Sequence, residues 1–550
     1  MTKMSLALAA ALLATAAAPA YADVLLLNLN GVSVDKDGKI GRFKGIWIDD
    51  DGRVKRLLAP GDAPPANASR MIDMGGRTAL PGLIDAHGHV MGIGFAAIQL
   101  DLTGTTSLDD LKARLKAYAE ANPGTGWILG RGWNQENWAD KRFPTAADLD
   151  AVVGDRPVWL GRVDGHAAVG NSAALKAAGI TADTAAPAGG RIENGLFVDN
   201  AMGLVEGKIP APDEATRDRA LAEAQQFMLS QGLIGAADMG SSVEDWATFR
   251  RLGEKGGLKV RIFSYASALP GWRVINGGKA TGWMYGERLR LVGTKLYADG
   301  ALGSRGAWLK APYHDKPDTS GLHFYEDAGL LADAREVTSG GGQLAIHAIG
   351  DKANDQVIGA YESIAKDFGT KRRGRIEHLQ IADPKDLPRL KSAGIIASMQ
   401  PTHQTSDMTM AEARLGPKRL GGAYAWRTIE RLSVPIAFGS DFPVEHPNPF
   451  PGLSAAISRQ NIAGQPKGGW RAWERVSLGR ALHGFTRGAA YAGFAEKTLG
   501  CLDVGCQADF IIVDRDPTKV DAQALAATKV LETWVGGDKA WASEPPPPAK

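Results

Sequence analysis

The chain has 550 residues, which suggests roughly two to four domains, or one large barrel with additions. It carries 63 Lys and Arg against 61 Asp and Glu, a net charge of +2, and this near balance argues against a nucleic-acid-binding protein. Two cysteines exclude a disulfide scaffold and any Cys-rich zinc or iron–sulfur site. A bound metal would therefore need His, carboxylate or modified-Lys ligands.

Residues 1–22 have the pattern of a secretory signal peptide. Lys3 precedes an apolar run at 5–18, and Ala20-Tyr21-Ala22 offers a cleavage site of the small-x-small type. The alternative is a membrane anchor, but a run of about 14 residues is shorter than the roughly 20 of a spanning helix. We therefore expect a mature protein that starts near Asp23, lies in the bacterial periplasm or outside the cell, and is not held in a membrane.

Both ends of the mature chain resemble β-structure. Residues 24–58 and 509–537 hold short runs of aliphatic and aromatic residues separated by turn sequences. Chain termini often lie close together, so residues 23–78 and 491–543 are predicted to pair as two parts of one small β domain. Residues 544–550 include four prolines and are expected to form a flexible tail.

The middle of the chain, 79–490, alternates short apolar runs with helical stretches. This alternation predicts an α/β fold with a parallel sheet, and about eight runs predict a closed (β/α)₈ barrel of the TIM type. An insertion is expected at about 95–225, with strands at 127–130 and 158–163 and helices at 108–121 and 214–231. The eight runs are 78–85, 233–238, 260–265, 289–297, 343–347, 375–379, 395–399 and 435–439.

Candidate metal ligands follow several of these runs. His87 and His89 are two residues apart at the end of the first run, so both imidazoles should point to the same side. His347, His378 and Asp441 also end apolar runs, where catalytic residues of barrels gather. A single histidine would be read as a hydrogen-bonded core or surface residue, but the set favours a metal site. Zn²⁺ is the default ion for hydrolysis, and Fe, Ni or Mn are the alternatives.

Lys295 belongs to the same pattern. It lies inside the apolar run 289–297, where a buried amine is costly unless it is neutralised or paired.

These motifs together resemble the metal-dependent amidohydrolase superfamily, and more narrowly its amidohydrolase-3, or YtcJ-like, branch. The resemblance covers about residues 24–540 and implies a (β/α)₈ barrel beside a composite β-sandwich. Residues 162–166 (RVDGH) and 171–175 (NSAAL) carry the branch-specific part. The other motifs are 80–89 (LPGLIDAHGH), 295–304 (KLYADGALGS), 347–351 (HAIGD), 376–378 (IEH), 439–444 (GSDFPV) and 500–509 (GCLDVGCQAD).

The resemblance also implies ligand roles. His87, His89 and Asp441 would bind the more buried metal. Lys295, carboxylated by CO₂, would bridge to a second metal held by His347 and His378. Members of the superfamily differ in metal count, so one or two ions per chain are expected.

Other residues have weaker assignments. Asp441 is predicted to transfer the proton of the attacking water, with a purely structural ligand as the alternative. His166 and His403 are candidates either for substrate contact or for support of the ligands. Trp133, with Trp127 and Trp138, is expected either to line the site or to pack the insertion onto the barrel.

Three further features are left open. Arg305 and Arg459 could bind a substrate carboxylate or lie at the surface. Cys501 and Cys506 flank a turn and could form a disulfide, but two free, partly buried thiols are expected. A homo-oligomer is possible.

Three functions fit these observations. The first is a hydrolase of carbon–nitrogen bonds, other than peptide bonds, in a small organic molecule. The second is a deaminase or other one-metal hydrolase of the same superfamily with unmodified Lys295. The third is a periplasmic binding protein without activity, which the complete ligand set disfavours.

Overall fold

A computed structural model describes residues 23–543 except 66, 164, 166, 188 and 189. The predicted signal peptide, the predicted tail and His166 lie outside the described residues. No helix in the described part is long and apolar enough to cross a membrane.

The centre of the molecule is a nearly closed parallel barrel, which confirms the predicted fold class. Its eight strands among the described residues follow one another around the sheet in chain order. A parallel bridge between Gly88 and Phe442 brings the segment after the last strand back to the first. Barrel strands 1 to 8 are Leu83–Gly88, Leu233–Ser241, Arg261–Ser267, Leu289–Tyr297, Gln343–Ala348, Arg375–His378, Ile396–Met399 and Ile436–Phe438.

Helices connect these strands and cover the barrel. The α-helices from the first barrel strand onwards, outside the insertion, are Val90–Ile98, Glu214–Ser230, Val243–Glu254, Ala268–Asn276, Asp327–Ser339, Asp351–Phe368, Leu387–Ser392, Pro401–Leu415, Trp426–Arg431, Pro449–Ser458, Leu478–His483, Ala489–Ala492 and Ala522–Ala526. Short 3₁₀ turns lie at Gln135–Asn137, Thr370–Arg372, Pro417–Arg419 and Ala472–Glu474, a π-turn at Gly484–Gly488, and a two-stranded ribbon pairs Ile381–Ala382 with Gly422–Ala423.

The first predicted barrel run is in fact two strands. Thr78–Pro81 pairs antiparallel with Phe510–Val513 and parallel with Asn30–Val34, so it belongs to the sandwich. Barrel strand 1 begins only at Leu83, after Pro81 and Gly82. The sequence suggests one continuous strand because residues 79–84 form an unbroken stretch without a charged side chain. The boundary between sandwich and barrel is therefore at Gly82 rather than at residue 78.

The two ends of the chain form the predicted β-sandwich. One six-stranded sheet contains strands from both ends, in the order Asp538–Ala542, Val530–Val535, Phe510–Val513, Thr78–Pro81, Asn30–Val34 and Ile40–Phe43. A four-stranded sheet has the order Val54–Leu58, Gly45–Ile48, Val24–Leu27 and Arg70–Asp73. The buried Arg261 at the start of barrel strand 3 forms a 2.8 Å ion pair with Asp509, which joins sandwich and barrel.

The insertion has its own sheet and core. Its described strands lie in the order Gly190–Glu193, Leu196–Asp199, Ala167–Gly170, Val158–Arg162, Ile128–Trp133 and Leu100–Asp101. Its helices are Leu108–Ala121, Ala146–Asp150, Ser172–Ala178 and Gly203–Glu206. The predicted helix 108–121 is found with the same bounds, and Ser107 caps it by accepting a hydrogen bond from the backbone of Asp110.

Cys501 and Cys506 form a disulfide, so the expectation of two free thiols was wrong. The turn between them closes through a hydrogen bond from the Cys506 amide to the Asp503 carbonyl, with Gly505 in the left-handed region at φ 85°. This turn brings the two Cα atoms to 6.0 Å, a separation that a disulfide spans without moving the backbone.

Candidate metal centre and active site

Three ligand-type side chains meet at the carboxyl-terminal end of the barrel. One ligand atom each of His87, His378 and Asp441 lies within 4.8 Å of the other two. They come from barrel strand 1, barrel strand 6 and the segment after barrel strand 8. All three are buried, so the site is built into the barrel rather than onto its surface.

The ring of His87 is held by a buried glutamate. Its Nδ1 is 2.6 Å from Oε2 of Glu377, and its Nε2 is 3.4 Å from Oδ1 of Asp441. Burial lowers the pKa of His87 to about 4, and the nearby charge of Lys295 acts in the same direction. A neutral ring that donates from Nδ1 to Glu377 keeps the Nε2 lone pair free for a metal ion.

Glu377 is itself fixed by an arginine. Arg375 binds both carboxylate oxygens at 2.7 and 3.1 Å and donates to the carbonyl of Ala86 at 2.6 Å. Burial opposes the charge of Glu377, but Arg375 and His87 hold its pKa at about 2. The pair therefore provides an ionised carboxylate beneath the ligand ring.

His378 and His347 are oriented in a similar way. Nδ1 of His378 is 2.9 Å from Oε1 of Gln400, an oxygen that can only accept, so Nε2 of His378 is left for a metal. His347 contacts the Gly300 carbonyl through Nε2 at 3.5 Å, and its ring centroid is 4.6 Å from that of His378. Burial holds the pKa of His347 at about 3 and that of His378 well below its usual range. Both rings are therefore neutral, as coordination requires.

Asp441 lies next to both His87 on barrel strand 1 and His89, which caps the helix that follows that strand. Its Oδ1 is 3.1 Å from Nε2 of His89, whose side chain is one-third exposed. Burial would raise the pKa of Asp441, but contacts with His87 and His89 hold it well below the usual value. Asp441 has a left-handed backbone at φ 62°, and its amide donates to the His87 carbonyl at 2.7 Å.

Lys295 reaches the same centre from barrel strand 4. It is 1% exposed, and its Nζ is 3.2 Å from Nε2 of His87. Within the described part of the chain, no carboxylate lies within 4.0 Å of this amine, so it has no ion-pair partner. A buried amine without a counter-ion is unfavourable, which sets Lys295 apart from an ordinary core residue.

Two buried carboxylates that sequence reasoning missed fix the loops behind the ligands. Asp85 accepts hydrogen bonds from the His87 amide at 2.9 Å and from the Ser440 hydroxyl at 2.7 Å. Asp299 accepts from the backbone amides of Trp308, Ile349 and Gly350 at 2.8–2.9 Å. Burial raises the pKa of each to about 7, and these hydrogen bonds oppose that rise.

A cavity of about 310 Å³ opens above the ligands. His403 lines it, with Nδ1 3.1 Å from Nε2 of Gln380 and Nε2 3.8 Å from Oδ2 of Asp441. That Nε2 is buried and has no hydrogen-bond partner among the described residues. The upper wall includes Asp407 and Glu445 beside the apolar Met410.

Several other candidates lie away from this cavity. Trp133 is fully buried in the core of the insertion, where its Nε1 donates to the Leu160 carbonyl at 2.8 Å, and Trp138 packs beside it. Trp127 packs in a separate small core of the insertion. The structure therefore places these indoles as packing residues rather than as a wall of the cavity.

The two candidate arginines also have structural partners. Arg459 is buried between Trp426 and Trp470 and donates to the Tyr424 carbonyl at 2.7 Å. Arg305 forms a 3.0 Å ion pair with Asp315. Neither lines the cavity.

The residues of this centre fit a divalent cation. They present neutral imidazoles and one ionised carboxylate, and hydrogen bonds to Glu377 and Gln400 turn a free nitrogen of His87 and of His378 inwards. The Nε2 of His403 is a further buried polar atom that has no hydrogen-bond partner in the part of the chain that the structure describes. Sequence reasoning named the candidate ligands that meet here but missed Glu377, Arg375 and Gln400, although polar residues inside or just after apolar strands were a signal.

Comparison with known proteins agrees with this site. The model of the amidohydrolase family matches residues 70–539. The chain is 31% identical to the Bacillus subtilis (strain 168) protein "Putative amidohydrolase YtcJ", over 90% of this chain and 95% of that one. It is 26% identical to the N-substituted formamide deformylase of Arthrobacter pascens, over 94% and 97%. The crystal structure of an uncharacterized metal-dependent hydrolase from Pyrococcus horikoshii OT3 is similar with a TM-score of 0.77 at 26% identity, over 91% of this chain and 99% of that one.

Proposed function

Because the chain belongs to the amidohydrolase family, we propose that it is a metal-dependent hydrolase of carbon–nitrogen bonds, other than peptide bonds, in a small organic substrate. One observation carries the proposal: His87, His378 and Asp441 converge within 4.8 Å at the floor of a cavity of about 310 Å³. That volume suits a small molecule rather than a polymer.

The ion is proposed to be Zn²⁺, because neutral imidazoles and a carboxylate are its common ligands in hydrolases. When bound, such an ion lowers the pKa of a coordinated water and polarises a carbonyl oxygen. His87, His89, His347, His378 and Asp441 would hold one or two ions, with Lys295 as a carbamate between them.

Asp441 is proposed to move the proton. Its carboxylate is ionised at neutral pH and faces the cavity, so it can accept the proton of the attacking water and return it to the leaving nitrogen. His403 is proposed to hold the substrate oxygen, because its Nε2 lacks a partner within the described protein.

The choice of bond rests on a relative. The Arthrobacter pascens protein, similar over 94% of this chain, is named as an N-substituted formamide deformylase. Its name supports an amide-like substrate bond, whose hydrolysis separates a small acyl group from an amine.

A substrate panel tests the proposal. Zn²⁺-loaded protein would be incubated with N-butylformamide, N-butylacetamide, a dipeptide, and amino-substituted heterocycles as deaminase substrates. Formate, acetate, free amine and ammonia would be measured. We expect formate or acetate release that Asp441→Asn slows by about 10²- to 10⁴-fold. Ammonia release alone would favour the one-metal deaminase, and no turnover on any substrate would favour a binding protein.

We also propose that the protein is exported after cleavage near Ala22. The Cys501–Cys506 disulfide supports this, because disulfides persist in oxidising compartments. Mass spectrometry of native protein from a periplasmic fraction should show an N-terminus near Asp23. An intact Met1 in the cytosol would contradict the proposal.

A further inference from the structure

Two carboxylates on the cavity wall have no assigned role. Asp407 lies on the helix Pro401–Leu415, one turn after His403, so both side chains share one face of that helix. Glu445 follows Asp441 by four residues and is joined to the same helix by a 2.7 Å hydrogen bond from the Ser406 hydroxyl. These contacts place both acids on the wall that also carries His403.

Among the described residues, neither carboxylate has a lysine or arginine partner; burial raises the pKa of both, and the facing His403 opposes that rise. Asp407 accepts a 2.7 Å hydrogen bond from Tyr424 through Oδ2, and Glu445 accepts one from Ser406 through Oε1. In the described ranges, no Lys or Arg lies within 4.0 Å of either group, and each keeps one oxygen without a partner. Among the described residues that line the cavity there is no arginine, and the single lysine is Lys295 at the ligand cluster.

A second observation points to a ligand on this wall. His403 is 7% exposed, and its Nε2 lacks a hydrogen-bond partner among the described residues although it lines the cavity. A buried polar atom of this kind costs free energy unless something binds it. The same cavity is also lined by the apolar side chains of Leu302 and Met410, which suit a short alkyl chain.

We propose that Asp407 and Glu445 bind a positively charged nitrogen of the substrate, so that the enzyme prefers small amides with a distal ammonium group. This inference rests on the proposed function for the reaction that follows binding. What it adds is a preference for positively charged substrates at the binding step. Uncompensated carboxylates on one wall attract a cation and repel an anionic substrate of the same size.

The test uses three sulfonamides of similar length that resist hydrolysis. They are N-(4-aminobutyl)methanesulfonamide, a cation, N-pentylmethanesulfonamide, which is neutral, and 4-(methanesulfonamido)butanoate, an anion. Calorimetric titration of the metal-loaded full chain at neutral pH should give a Kd about tenfold or more lower for the cation than for the neutral ligand, with the anion weakest.

Substitution then assigns the preference to the two acids. The double variant Asp407→Asn, Glu445→Gln should bind cation and neutral ligand within about twofold of each other and leave the Kd of the neutral ligand unchanged, which also reports an intact cavity. Glu214→Gln, an exposed carboxylate on the helix Glu214–Ser230, is the matched control and should keep the preference.

Three results would overturn the inference: equal affinities in the wild type, undetectable binding of the cation, or an undiminished preference in the double variant. Turnover of N-pentylformamide without any charge preference would reject only this inference. A clear preference without turnover of any amide would reject only the proposed function.

Discussion

Glu377 accepts a 2.6 Å hydrogen bond from Nδ1 of His87, although the two residues are 290 positions apart in the chain. The bond fixes both the ring plane and the tautomer of His87, and Arg375 keeps the carboxylate ionised. Glu377 is thus a positioning residue that acts through the metal ligand.

Glu377→Gln should weaken metal binding without removing a ligand. An amide can present its NH₂ group to Nδ1 and favour the wrong tautomer, so we expect a 10- to 100-fold loss of metal affinity, as is typical for such outer partners. Competition with a fluorescent zinc chelator measures this directly. Glu532→Gln, a buried glutamate of the sandwich, is the control and should bind metal normally. Unchanged affinity in Glu377→Gln would show that the ring is held by packing alone.

Lys295→Ala should lose the second metal and most activity. The amine is 1% exposed without a carboxylate partner among the residues described, which a carbamate would explain by turning a cation into an anionic ligand. Metal per chain would be measured by mass spectrometry, and ¹³C NMR in labelled bicarbonate should show a carbamate signal in the wild type only. Short carboxylic acids should restore part of the activity.

The control for this experiment is Lys352→Ala, which removes an exposed lysine. Full metal loading together with normal turnover in Lys295→Ala would show that Lys295 is only structural.

The barrel strands were predictable because alternation of apolar runs and helices is a local property of the chain. Once the strands were predicted, the candidate ligands could be placed together, because the carboxyl ends of parallel strands meet at one edge of the sheet. The partners of the ligands were not predictable in the same way, because Glu377 and His87 meet only through closure of the barrel. The backbone of His378 is left-handed, with φ at 77°, which the sequence could not show. This conformation lets the neighbours Glu377 and His378 both approach His87.

The misplaced boundary between sandwich and barrel and the undecided roles of the tryptophans have a related cause. Residues 78–81 and 83–88 are both fully buried, and their pairing partners distinguish the sandwich strand from the barrel strand. The sequence left two roles for Trp133 and Trp138, either lining the active site or packing the insertion. Both are buried in the core of the insertion, so they are packing residues. Such outcomes depend on contacts between distant segments, which patterns of single residues do not contain.

The sandwich should lose stability in acid because an ion pair that joins its two parts loses its negative charge. Asp516 is 2.8 Å from Arg42, and although burial opposes its charge, this pair and Thr518 hold its pKa at about 2. A lowered pKa means that the folded state binds the proton less tightly than the unfolded state. The stabilisation is therefore full above about pH 4 and is lost as the pH falls from there towards 2.

Asp516→Asn measures this contribution. It should lower the free energy of unfolding by on the order of 1–2 kcal/mol at neutral pH, and the difference from the wild type should shrink below pH 4. Urea titrations between pH 6 and 3 provide the values. Glu193→Gln, which removes one partner of an exposed pair with Arg191, should show no such trend. A difference that stays constant with pH would mean that Asp516 acts through its shape rather than its charge.

Asp441→Asn should separate metal binding from proton transfer. The carboxylate contacts His87 and His89 and is ionised at neutral pH, so the wild-type side chain can both coordinate and accept a proton. Asparagine keeps the shape and one ligand oxygen but has no basic site. General acid–base help is worth about 10²- to 10⁴-fold, so we expect kcat to fall by that factor with KM little changed and at least one metal retained.

The measurement is steady-state kinetics on any amide that the wild type hydrolyses, with metal content determined on the same samples. Asp538→Asn, an exposed carboxylate of the sandwich, should keep wild-type kcat. If Asp441→Asn binds metal and keeps near wild-type kcat, the proton must go elsewhere. His403, whose Nε2 is 3.8 Å from Oδ2 of Asp441, would then be the next group to substitute, because this nitrogen has no hydrogen-bond partner among the described residues.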